Sequence, residues 1–120
     1  MNIIRKSFEL NPKDYYVKHI SIVNAVLTNS LTNKEIEVLA SFMVADSKLT
    51  EDDRFNTLVR KQVMKDLSLS PGGLGNYLKS MIKKGFLNKS KITNRITILE
   101  YLMPDNIGQG YQFKLIKKEE

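Results

Sequence analysis

The spacing of apolar residues in this chain changes once, at Gly85, and that change restricts it to helices followed by a small β-hairpin. Before Gly85 the apolar positions recur every three or four residues, as one buried face of a helix requires. After it they alternate or are β-branched, as in Arg95-Ile96-Thr97-Ile98 and Tyr111-Gln112-Phe113-Lys114-Leu115. The turn-rich stretch Met103 to Gly110 lies between those two runs, so the spacing predicts a hairpin over 95–115 with a mobile tip. The fold class expected is therefore mainly α with a small β-hairpin, with four helices preceding the strands.

Start signals divide the helical part. Asn11-Pro12 places an N-cap side chain before a proline at the first helical position, and Tyr16, Ile20, Val23 and Leu27 then share a face. This helix should end near Asn29. Thr32 and Glu35 form a capping box, and Leu31 and Ile36 stand where a hydrophobic staple would close it. A helix follows over roughly 33–45, then a polar, acidic loop over 46–56. A third helix is expected over 57–67, with Leu58, Val59, Val63, Met64 and Leu67 as its buried stripe. After the break Ser68-Leu69-Ser70, Ser70-Pro71 starts a fourth helix with Leu74, Leu78, Met81 and Ile82 inward. Gly85 stops that helix, supplying a left-handed residue. Residues 2–10 read as a short strand or an ordered arm, and 117–120 as a tail.

Composition excludes several classes. The 120 residues contain no cysteine, which removes disulfides, zinc fingers, iron–sulfur centres and cysteine nucleophiles. A single histidine removes most histidine-rich metal sites. No apolar run approaches the ~20 residues of a membrane span. The N-terminus has charge inside its apolar stretch and is not expected to be a signal peptide. Gly72-Gly73-Leu74-Gly75 lacks the Gly-Lys-Ser/Thr ending of a nucleotide-binding loop, and no strand precedes it. Glu51, Asp52 and Asp53 are consecutive and read as a solvated loop rather than a metal site. Asp14, Tyr15, Tyr16 and His19 fall within two helical turns, but a helix-surface or half-buried histidine is the expectation there. Tyr111 and Phe113 would pack the hairpin rather than stack bases. No enzyme, metal or cofactor is implied, and the protein is expected to be cytoplasmic.

The order helix, three-residue break, helix opening with Ser-Pro, Lys84-Gly85-Phe86-Leu87, then strands resembles a winged helix-turn-helix domain. The resemblance is strongest over residues 61–89, where Leu67, Leu69 and the Leu74–Leu78–Met81–Ile82 stripe occupy the family's apolar positions. The broad look is that of MarR-type regulators and of replication-initiator winged helices. It implies a domain over 31–116, with residues 1–30 an added arm and helix for dimerisation or packing. It also implies duplex DNA as partner, with helix 71–84 in the major groove and the 95–115 hairpin as wing. A homodimer would use Tyr15, Tyr16, Ile20, Val23 and Leu27, which are otherwise extra core.

Charge distribution points the same way. Residues 57–98 hold nine basic side chains against the single acid Asp66, so the rest of a chain of net charge +6 is slightly acidic. The expected DNA contacts are Arg60, Lys61, Ser70, Gly72, Gly73, Asn76, Lys79, Ser80, Lys83, Lys84, Lys89, Lys91 and Arg95. Asn76 suits an adenine edge, and the lysines suit guanine or phosphate. The glycines have no side chain to read a base. They serve either close backbone approach to a phosphate or packing against protein. Two functions follow: a transcriptional or replication regulator of bacterial or phage origin, or a phage structural, connector or packaging protein that uses the fold to bind proteins. Virion or replication proteins are then further partners, and the virion a further location.

Overall fold

In a computed structural model the described residues are 2–27, 29–45 and 53–119. They contain four α-helices, α1 (Pro12–Ala25), α2 (Asn33–Val44), α3 (Thr57–Leu67) and α4 (Pro71–Lys83). Two three-residue strands, β1 (Leu87–Lys89) and β2 (Ile96–Ile98), and a 3-10 turn at Glu100–Leu102 follow. Most of the loop expected over 46–56 lies outside the described residues.

Each helix begins where a side chain can satisfy its first amides. Asn11 Oδ1 accepts from Asp14 N–H at 2.9 Å. Thr32 Oγ1 accepts from Glu35 N–H, and Glu35 Oε1 accepts from Thr32 N–H, completing the capping box. Asn56 and Ser70 cap α3 and α4 in the same way. α1 ends four residues earlier than expected because Asn24 turns its amide onto the backbone of Leu31, bonding both its N–H and its C=O. That contact brings the chain round into α2.

α2 is the central element. Ile36, Val38, Leu39, Ala40, Phe42 and Met43 are all buried, so this helix is covered on nearly every side. α1 lies on it through Ile20, and Tyr16, Val23 and Leu27 pack partly buried against the same core. Four of the five residues considered for dimerisation or extra core thus pack on the chain's own core; Tyr15 does not. Phe55 stacks on Phe42 at 4.4 Å between ring centroids, and Arg54 donates to the carbonyls of Phe42 and Met43 at the end of α2. α3 adds Val59 and Val63, while Leu58, expected inside, is 64% exposed. Beginning at Thr57 turns Leu58 away from α2; Val59 and Val63 are buried, and Met64 and Leu67 pack partly buried against the core.

α3 leaves through Ser68, which is left-handed (φ 54°, ψ 47°), and Leu69 N–H returns to Met64 C=O at 2.8 Å. α4 ends on Gly85 at φ +88°, where Phe86 N–H returns to Met81 C=O at 3.0 Å. Only glycine takes that backbone conformation without strain.

The hairpin differs from the expected one. β1 pairs antiparallel with β2, with Leu87 opposite Ile98, Asn88 opposite Thr97 and Lys89 opposite Ile96. The turn between them runs through Ser90 and a left-handed Asn94. Residues 111–115 form no strand among the described residues, so the hairpin spans 87–98 and not 95–115. Leu87, Ile96 and Phe86 are buried under it, and its short β1 begins directly after the glycine stop. Residues 2–10 are exposed and in neither helix nor strand.

Candidate nucleic-acid interface

The outer face of α4 is set by what its inner face buries. Leu74, Leu78 and Met81 point into the core, which leaves Gly72, Asn76, Lys79 and Lys83 exposed on the opposite side. These four positions stand one above the other at spacings of four, three and four. Gly75 and Ser80 flank them, half-buried. Among the described residues no carboxylate pairs with Lys79 or Lys83. The one acid of the basic segment, Asp66, accepts from the amide of Gln62 at 2.8 Å.

Other expected contacts separate into two groups. Lys61, Lys89, Lys91 and Arg95 are exposed, the last three on the hairpin that follows α4. Ser70 and Gly73 are joined to each other, because Ser70 Oγ accepts Gly73 N–H at 3.0 Å. Arg60 is turned inward at its Nε, which donates to Phe55 C=O at 2.6 Å. Lys84 is corrected. Its Nζ lies 2.6 Å from Glu35 Oε1, a carboxylate 3% exposed at the first turn of α2. That lysine braces the fold, and its side chain keeps 29% of its surface exposed. Burial pushes the Glu35 carboxyl up, but the Lys84 ammonium, the Thr32 amide and the Ser80 hydroxyl together hold it below its ordinary value.

Gly72 and Gly75 have open space where a side chain would stand, and Gly73 does not. A Cβ at Gly72 or Gly75 would meet nothing within 4 Å, whereas at Gly73 it would lie 3.1 Å from Ser70 Oγ. Pro71 has no N–H, and Ser70 takes those of Gly73 and Leu74, so the helix start offers an anion the Gly72 amide and the positive dipole end.

A second polar cluster, on α1, falls outside the expected site. His19 is buried, and its Nε2 donates to Leu102 C=O at 2.8 Å. Nδ1 is then the acceptor, and Tyr111 donates its hydroxyl to it at 2.5 Å. Burial lowers the His19 pKa against the opposing pull of the Leu102 carbonyl, and burial raises the Tyr111 phenol to about 12. Both groups are thus held neutral, which suits a packing contact. His19 and Tyr111 are 92 positions apart, and no local pattern could have joined them.

Among the described residues no cluster of His, Asp or Glu could hold a metal ion, and no helix is long and apolar enough to cross a membrane. Comparison with protein-family models, curated proteins and solved structures finds no match to this chain.

Proposed function

We propose that this chain is a small winged-helix DNA-binding protein, acting as a transcriptional or replication regulator by occupying duplex DNA. The observation that carries the reading is the exposed line Gly72, Asn76, Lys79, Lys83 on α4, cationic and without carboxylate partners among the described residues. α4 enters the major groove along this line. Gly72 and Gly75 let the backbone come close to a phosphate, Asn76 meets a base edge, and Lys79 and Lys83 take phosphate or guanine. The 87–98 hairpin is the wing, and Lys89, Lys91 and Arg95 lie along the neighbouring backbone.

The test is a salt titration of binding to short duplexes. Neutralising about five phosphates gives log K falling with log salt at a slope near −4 to −5. A flat dependence, or no binding at low salt, refutes the reading.

A further inference from the structure

The segment after the 3-10 turn has the composition of a strand and no partner. Tyr111, Phe113 and Leu115 alternate with Gln112 and Lys114, and the Tyr111 and Phe113 rings stack 6.3 Å apart, on one side. Yet among the described residues the backbone of 111–119 makes no hydrogen bond, and Leu115 and Ile116 are 96% and 78% exposed. The N-terminal arm lies beside Tyr111 along a cleft on α1 lined by Phe8, Tyr15 and His19, and Ile4 and Phe8 are 96% and 71% exposed. Tyr111, Phe113 and Leu115, with side chains of up to ~200 Å² each, leave a stripe on the order of 350 Å² open on each copy.

We infer that residues 110–116 pair antiparallel with the same segment of a second copy, in the register centred on Phe113. The occupant follows from self-complementarity. In that register Phe113 faces Phe113, Tyr111 faces Leu115 on both sides, and Gln112 faces Lys114. All apolar residues of the stripe then pair, and no lysine opposes a lysine. Centring on Lys114 would set two ammonium groups opposite each other. Centring on Gln112 would leave Leu115 facing Gln109. A centre between residues would put apolar and polar side chains on the same face. The two-fold axis this creates is of the isologous kind common in dimers. Tyr111 keeps its hydrogen bond to His19 and so ties the shared ribbon to α1 of each copy. This inference stands independently of DNA binding.

The chain has no cysteine, so a single introduced thiol reads the register directly. Sedimentation of the unaltered protein over a wide concentration range is expected to give a dimer. Under mild oxidation Phe113→Cys is expected to cross-link roughly tenfold more than Gln112→Cys or Lys114→Cys, since directly opposed residues are within disulfide reach and diagonal ones are not. Phe113→Asp is expected to sediment as a monomer. A monomeric unaltered protein, a higher oligomer, or a dimer that cross-links best through another position each overturns the inference.

Discussion

Removing two glycines from α4 should make the protein more stable, and the size of the gain follows from the space around them. A glycine inside a helix costs about 1 kcal/mol relative to alanine, chiefly through the freedom of the unfolded backbone. Gly75 lies five residues into α4, and Gly72 lies in its first turn, where the cost is nearer 0.5 kcal/mol. Neither Cβ would meet an atom within 4 Å, so there is no clash to subtract and no packing to add. Gly72→Ala with Gly75→Ala should therefore stabilise by roughly 1.5 kcal/mol, or roughly 4–7 °C in Tm for a chain of this length. Gly73→Ala is the internal control. Its Cβ would press on the Ser70 hydroxyl that caps the helix, so the propensity gain should be cancelled by a weakened cap worth about 1 kcal/mol. Thermal melts and urea titrations of the three proteins measure this. A double variant that melts lower than the parent, or a Gly73→Ala gain as large as the double variant's, refutes the reasoning. The same double variant tests the proposed interface. If backbone approaches phosphate at these positions, the more stable protein should bind duplex about tenfold more weakly; unchanged affinity would remove the glycines from that face.

Lys79→Ala with Lys83→Ala should reduce the salt slope of duplex binding by about 2 and weaken binding across sequences, while Asn76→Ala should mainly flatten sequence preference; competition gel shifts separate the two. Lys84→Ala should cost about 2–4 kcal/mol in urea unfolding, because it leaves the Glu35 carboxylate buried without its cation. Since the Glu35 pKa is depressed in the fold, its contribution should be full above the ordinary carboxylate value and fade as pH falls through the folded value. Glu35→Gln should flatten that acid limb. His19 is also depressed, as a base held neutral, so the unfolded chain takes up its proton first. Its contribution should be full above the ordinary value of 6.5 and decline as pH falls below it. The midpoint of urea unfolding, compared above and below that pH, should shift less in His19→Gln than in the parent.

The helices were legible because their signals are local. A proline and a capping side chain act within one turn, so Asn11-Pro12, the Thr32/Glu35 box and Ser70-Pro71 mark their starts without knowledge of the rest. The stop at Gly85 is equally local. A strand is not, because alternation shows which face is apolar and not what lies alongside. Residues 111–115 carry the stronger pattern and form no strand in the single chain, while Leu87-Asn88-Lys89, too short to show a pattern, does. Its place beside the Gly85 stop and the tight Ser90–Asn94 turn decides the pairing. The candidate interface was legible as a set of charges, since α4's inner stripe fixes its outer one. What could not be read was which lysine is spent inside: Lys84 finds Glu35 across 49 positions. Lys83 and Lys84 are neighbours, and helix geometry turns the first to solvent and the second toward Glu35.

Two oddities sit within seven residues of each other at the α3–α4 junction. Ser68 carries a side chain where left-handed backbone favours none, and Gly72 and Gly75 lack one where a helix rewards it. Exchanging those preferences would give a sturdier junction at no steric cost at positions 72 and 75. A chain drifting toward thermal robustness would not leave this stretch so arranged. The junction therefore holds residues below the stability its backbone would allow, and a library randomised there and sorted for folding alone should converge away from the natural residues.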